Sequence, residues 1–503
     1  MNNSFWSTIK SIFIRFFPYV AIFSASLYNP GDSDMGWHLK YVEYFITHLT
    51  PLTTNIYSTM MNGYKWVNSS WATDVITYTT FYHFGFYGLT ILGAIIITAI
   101  FYFLSKTAKL SFFEQAIIFP IILNLEEPLF SVSFRGHLIS LLFISILIFL
   151  LKKYENGQKK FLLITLPVFI LWSNIHGEFI LGLCIFTLWV IFFFTRKLII
   201  NNWSIKFQKE NISTKLKSVF LNDWKYLFIL PILSFLFAMI NPFTICVYLE
   251  TLRHFANPLQ KYIVEWLPLD PYTPAWYKLI IWGIIIVGIT IYLKAKRLLH
   301  KNLTMVGITL ILLLLSFWMR RYAWAMFLVS VPVIKILVEN FKPKSEKTAQ
   351  FIAGLFLVTF YIYNVYAKIP TLGIAGMNWE NYCKWYVYCS EKSAEFIINN
   401  PLSGKLLTFY NWGGWLIWKY PLLKPSIDGR MHLWRDEKGY SAFAEYYGYE
   451  QNWTDVDKSD YDGVYINLTK PLYFQMVKLT ESKKWKMVYK DDFAAVFYRI
   501  KKI

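Results

Sequence analysis

Long apolar runs, interrupted by short clusters of charge, fill the first three quarters of the chain. A run of about 17–25 apolar residues crosses a bilayer as a helix, because ~20 residues at 1.5 Å rise span a hydrocarbon core of ~30 Å. The pattern predicts roughly eleven such segments, near residues 8–28, 72–104, 112–125, 134–151, 161–174, 178–195, 226–248, 275–293, 303–319, 323–339 and 349–367. The third and fifth are short enough to be broken or re-entrant. The first follows Lys10 and Arg15 and has the outline of a secretion signal, but only NPGDSD comes after it, with no small-residue cleavage site, so a retained anchor is expected. From about residue 368 the period changes. SGKLLTFYNWGGWLIWKYPLLKPSIDGRMHLW predicts strand, glycine turn, amphipathic helix and strand. DYDGVYINL predicts another strand, 470–483 a helix, and KWKMVYKDDFAAVFYRI a hairpin turning at Lys490–Asp492. The expected fold is therefore an α-helical polytopic membrane domain over 1–367, with a first outer loop at 29–71, followed by a small extracytoplasmic α/β domain over 368–503.

Charge decides the orientation. Basic residues crowd alternate connections: Lys10 and Arg15; Lys106 and Lys109; Lys152, Lys153, Lys159 and Lys160; Arg196, Lys197, Lys206, Lys209, Lys215 and Lys217; Lys294, Lys296, Arg297 and Lys301; Lys342, Lys344 and Lys347. The intervening loops are lean in Lys and Arg. Positive loops stay in the cytoplasm, which places the amino terminus inside and, with an odd number of crossings, the carboxyl-terminal domain outside an inner or plasma membrane. The formal charge of +19 over 503 residues is explained by these flanks. No Lys/Arg-rich helix carries groove-reading residues, so nucleic acid is not an expected partner. Membrane lipid is.

The 20% aromatic content fits interfacial belts. Of four cysteines, Cys184 and Cys246 sit in apolar runs and are expected to pack. Cys383 and Cys389, in NYCKWYVYCSEK, are either a disulfide facing an oxidising compartment or two unrelated thiols.

The outer loops hold most of the chemistry-bearing side chains: Asp32, Asp34, His38, Glu43 and Asp74; Glu126, Glu127, Arg135 and His137; Asn174, His176 and Glu178; Asn241, Glu250, Arg253, His254 and Glu265; Arg320 and Arg321. Ionisable groups at a membrane edge are costly and usually face a cavity or a partner. The first loop is the most informative. After Asp34, apolar residues fall at Met35, Leu39, Val42, Ile46 and Leu49, one face of a helix lying on the membrane surface. Ser33 or Asp34 would cap its start. Asp32 and Asp34 would then stand at the water–lipid boundary, with His38 one turn in.

An Asp-x-Asp leading from a first outer loop into a juxtamembrane helix resembles the polytopic GT-C glycosyltransferases. The continuation Asp32, Asp34, Trp37, His38, Leu39, Pro51, Ser58, Gly63, Trp66 and Trp71 resembles an uncharacterised family of bacterial GT-C-like membrane proteins. NIHGEF, NPFT, IVEW and the Arg320–Arg321 pair match it more loosely, as do NWGGWLIW and IDGR in the outer domain. Gly36 stands where that family usually has a first Trp before Trp37. The resemblance implies transfer of a sugar from a polyprenyl-phosphate donor to a glycan, lipid or protein acceptor at the outer face. In that chemistry Asp32 or Asp34 takes the acceptor proton. Arg320 and Arg321, then Arg253 and Arg135, are candidates to stabilise the phosphate leaving group through their forked donors. His38, His176, Glu178 and Trp66 complete the candidate substrate-binding set. Asp34, Glu126 and Glu127 offer hard oxygen ligands suited to Mg or Mn, but no spacing demands a metal. The competing expectation is a transporter or flippase of a lipid-linked or anionic substrate, using the same Arg and Glu residues for binding. It would call for internal repeats and interrupted midplane helices, and no repeat is present.

Overall fold

The computed structural model describes residues 2–205, 225–256, 258–373 and 377–500. Lys206, Lys209, Lys215 and Lys217 of the expected cytoplasmic set lie outside the described residues. The chain forms two compact units. The first comprises Met1–Tyr28, Thr90–Tyr248 and Val264–Gly373; the second comprises Asn29–Leu89, Leu249–Ile263 and Ile374–Ile503.

The first unit is helical. Helix α1 (Asn2–Ala25) is followed in the chain by α2 (Met35–His48), α3 (Trp71–Ala108) and α4 (Phe112–Leu125). Among the described residues seven helices are long and apolar enough to cross a membrane, and eight if Arg320–Val329 and Val331–Asn340, bent by 51°, form one span. The expected eleven are not confirmed. Helix α4 has 14 residues and Thr165–Ile175 has 11, reaching only about 21 Å and 17 Å at 1.5 Å per residue. The segment near 226–248 is interrupted after Phe237, where the Asn241 carboxamide accepts the Phe243 N–H at 2.8 Å and Thr244 turns left-handed at φ 50°. The bend at Ser330 is followed by Pro332, whose missing N–H breaks the helical ladder. Trp172, Trp189, Phe101, Phe119 and Phe130 are wholly buried between helices, whereas Ile281, Ile284, Ile291, Phe351 and Leu355 are exposed on helices that pass as spans. Cys184 and Cys246, expected to pack, are exposed.

The second unit holds a four-stranded sheet, β1 (Lys405–Thr408), β2 (Tyr461–Asn467), β3 (Trp485–Lys490) and β4 (Ala494–Arg499), in the order β1-β2-β4-β3. β1 runs parallel to β2, and β4 is antiparallel to both its neighbours. The expected hairpin and the helix after β2, Pro471–Glu481, are present. The strand expected at IDGRMHLW is instead a short 3-10 turn, Gly429–Leu433, because the Asp428 carboxylate accepts the Arg430 N–H at 3.0 Å and winds the backbone.

Residues 29–89 fold with this sheet domain. The N–H groups of Thr59 and Met60 donate to the carbonyls of Pro425 and Ser426 at 3.0 and 2.9 Å. Cys383 and Cys389 are disulfide-bonded. Beside them the Tyr382 hydroxyl donates to the Asp32 carbonyl, and the Tyr388 carbonyl accepts from Trp412 and Asn467 at 3.2 and 3.0 Å. Two glycines make the closest approach. A Cβ on Gly36 would lie 2.0 Å from the Gly414 carbonyl oxygen, and one on Gly429 would lie 1.8 Å from Asp34 Oδ1. Gly413 and Gly414, expected to shape a turn, are thus part of the helix Gly413–Lys419 that abuts the start of α2. Backbone cannot retreat as a side chain can, so Gly36→Ala should cost about 1–3 kcal/mol by overpacking. Gly288→Ala meets nothing within 4 Å and should unfold with the wild type in a detergent melt.

Candidate functional site

Two clusters of ionisable side chains lie buried, one in each unit. The first is built where the chain enters α2. Asp32 accepts the Asp34 N–H on Oδ1 at 3.1 Å, which closes the turn that starts the helix. Asp34 stands at the N-cap but its side chain makes no capping bond, contrary to expectation, and lies against Gly429 instead. His38, one turn on, places Nδ1 2.5 Å from Asp74 Oδ1 and Nε2 3.9 Å from Asp32 Oδ2. Asn68 donates to the other Asp74 oxygen at 2.6 Å. Trp37 stacks on the imidazole, with ring centroids 3.7 Å apart. Burial pulls the His38 pKa down, but the charges of Asp74, Asp32 and Asp34 outweigh it and hold it above 6.5. The arrangement is a chain of carboxylate, imidazole and carboxylate, in which Asp74 fixes the ring and Nε2 addresses Asp32.

Next to it, Arg430 forks onto Asp428 with Nε–Oδ1 2.8 Å and Nη2–Oδ2 2.7 Å, and Nη2 also donates to Asn55 at 3.0 Å. Ser58 donates to Asp428. The guanidinium lies 5.4–5.7 Å from the rings of Tyr57, Trp66 and Trp434. Burial raises the Asp428 pKa, yet Arg430 and Ser58 bring it below the usual carboxylate value. Trp66 is thus buried beside Arg430 and Trp37. Arg253 is in the same unit but largely exposed, 3.5 Å from Glu250.

The second cluster joins four segments of the first unit. His137 Nδ1 is 3.0 Å from Glu178 Oε1, and its Nε2 is 3.1 Å from Arg321 Nη2. Nε2 also lies 3.5 Å from Glu265 Oε2, so the ring faces a carboxylate on each side and Arg321. Arg321 also pairs with Glu265, which takes Arg135 at 3.3 Å on its other oxygen. His176 Nδ1 is 3.0 Å from Ser140 Oγ and 3.5 Å from Glu178 Oε2. Burial, then the neighbouring His137, lowers the His176 pKa to about 4, so its ring is neutral at pH 7. Burial works against ionisation of Glu178 and Glu265, but His137 and Arg321 respectively lead the groups that hold both well below the usual range.

The Arg pair divides. Arg321 enters this cluster, while Arg320 donates to the Leu267 and Pro268 carbonyls at 3.3 and 3.0 Å and secures that loop. Glu126 and Glu127 point apart: Glu127 is exposed, and Glu126 is wholly buried, its pKa raised well above the usual value by that burial. Asp34 belongs to the other unit. Among the described residues the group whose metal-ligand atoms converge, all within 4.8 Å of one another, is His137, His176 and Glu178. Two imidazoles and one carboxylate suit Zn or Mn better than Mg, which favours oxygen alone. Asp74 and Glu265 were visible only as polar residues near helix ends; their partners His38 and Arg135 are 36 and 130 positions away, beyond any local spacing, while Asn68 joins through Asp74, six positions on.

No protein-family model matches the chain, and no curated protein matches it by sequence. Solved structures do match. The oligosaccharyltransferase AglB from Archaeoglobus fulgidus, in complex with an inhibitory peptide and a dolichol-phosphate, is similar over 91% of this chain and 70% of its own, with TM-score 0.53 and 11% identity. The apo form of the A. fulgidus oligosaccharyltransferase matches over 92% and 70%, with TM-score 0.52 and 11% identity. At that identity the likeness is one of fold: a helical membrane domain of the GT-C kind with a smaller carboxyl-terminal domain.

The raised His38 pKa has a sign that can be measured. In the unfolded chain His38 titrates near 6.5. Its contribution to stability is therefore full below about pH 6.5 and is lost as pH climbs through the higher folded value. The melting-temperature gap between wild type and His38→Gln should be widest near pH 6 and narrow towards pH 9.

Proposed function

We propose that the protein is a membrane glycosyltransferase that moves a sugar from a polyprenyl-phosphate carrier to a glycan, lipid or protein acceptor at the outer membrane face. The observation that carries the reading is the shared fold over nine tenths of the chain with a transferase whose structure holds a dolichol-phosphate. Each buried cluster, taken by itself, offers side chains of the kind such a reaction uses. Asp32 takes the proton of the attacking hydroxyl, with Asp74 and His38 holding it in position. Asp34, packed on Gly429, shapes the loop. Arg321 stabilises the departing phosphate, with Arg135 and Glu265 setting its place. A divalent ion held by His137, His176 and Glu178 would supply further positive charge to that phosphate. The uncharacterised bacterial GT-C-like family remains the expected kinship, on the loop residues already named.

Transport draws on the one helix pair bent by 51°. Release of polyprenyl phosphate from a radiolabelled donor in proteoliposomes separates the readings. Asp32→Asn should lower turnover by about 10²–10⁴-fold with melting temperature kept, and Arg321→Ala by about 10²–10³-fold with a lower melting temperature, since Glu265 and Glu178 lose their partner. Donor that crosses the bilayer intact, with turnover equal in all variants, would replace transfer by transport.

A further inference from the structure

The first unit contains a cavity of about 940 Å³ that neither cluster uses. It lies between α1, the second half of α3 and the start of α4. Its lining runs along α3 from Ile95 to Lys106, about 17 Å at 1.5 Å per residue, and on to Lys109 just past the helix. The walls are mostly aliphatic and aromatic, and Ile95 and Tyr102 on its rim are exposed. Arg15, Lys106 and Lys109 line it, with no carboxylate among the lining residues. Among the described residues none of the three forms a salt bridge, and Lys106 and Arg15 only lie over the rings of Tyr102 and Phe16. Gln115 is nine-tenths buried in the lining; its amide donates to Ser105 and Leu110, but its carbonyl oxygen has no partner. Three cations without a salt bridge among the described residues, an elongated apolar trough and a buried acceptor without a partner suit an amphipathic anion that carries a hydroxyl.

We propose that this cavity binds an anionic diacyl phospholipid of the surrounding bilayer, its phosphate on Arg15, Lys106 and Lys109, a headgroup hydroxyl on Gln115 and its chains along α3. The lipid is a resident of the helical unit and not the sugar carrier. The charge complementarity favours an anionic headgroup by about fivefold per cation. The inference does not depend on glycosyl transfer.

Native mass spectrometry of the full chain, delipidated and then given dioleoyl phosphatidylglycerol or dioleoyl phosphatidylcholine, tests it. The wild type should keep one phosphatidylglycerol at least tenfold more tightly than phosphatidylcholine. The triple change Arg15→Gln, Lys106→Gln, Lys109→Gln should bring that preference below twofold. Each single change should lower it about fivefold, which keeps the test open if the triple variant does not fold. Equal retention of both lipids, an undiminished preference in the variants, or displacement of phosphatidylglycerol by equimolar polyprenyl phosphate would each overturn the proposal.

Discussion

The buried fork between Asp428 and Arg430 is the constraint on which the second unit depends. It joins chain 370 and 375 positions apart, because Ser58 and Asn55 complete it from the first loop. Two charges withdrawn from water cost several kcal/mol each, and their attraction offsets this only when geometry and remaining hydrogen bonds are complete. Here both Asp428 oxygens are occupied, three rings border the guanidinium, and the pair is nearly inaccessible. Losing one partner would strand the other charge, at about 3–5 kcal/mol. The fork is therefore a device of specificity more than of stability. It admits one placement of residues 53–66, and that placement positions Trp66 against Trp37 and so the ring stacked on His38.

Charge balance limits what the cluster in the helical unit can do by itself. Arg135 and Arg321 face Glu178 and Glu265, two cations against two carboxylates, and both carboxyl groups are held ionised. A phosphate arriving there must take Arg321 from Glu265 or bring a cation with it. The neutral His176 is what makes a cation admissible. Arginine and imidazole chemistry in this unit are thus coupled, and a change in one alters the charge felt by the other.

The long continuous spans were legible because apolar runs near 20 residues have few alternatives in a folded chain. The shorter ones misled because hydropathy does not register where a helix stops: Asn241 and Thr244 end one segment through a side-chain turn inside an otherwise apolar run. The hairpin and β2 followed from period-two alternation and turn residues. The role of NWGGWLIW did not, since a glycine pair that admits a foreign backbone looks the same as one that turns its own. Gly36, a departure from the expected Trp, is explained by the same contact. In the candidate sites Asp32, His38, His176, Glu178 and Arg321 were singled out from their place at the membrane edge, whereas Asp74 and Glu265 acquired meaning only through contacts made in three dimensions.

A fold shared at 11% identity with an oligosaccharyltransferase constrains shape far more than chemistry. What is particular to this chain is the way each buried histidine is committed. His38 lies between two carboxylates and is biased towards the charged form; His176 lies against a hydroxyl and a second imidazole and is biased towards the neutral form. Equal residues are thus set to opposite tasks by their surroundings. The two carboxylates around His38 favour its charged form, and a neutral His176 beside Glu178 keeps a lone pair available.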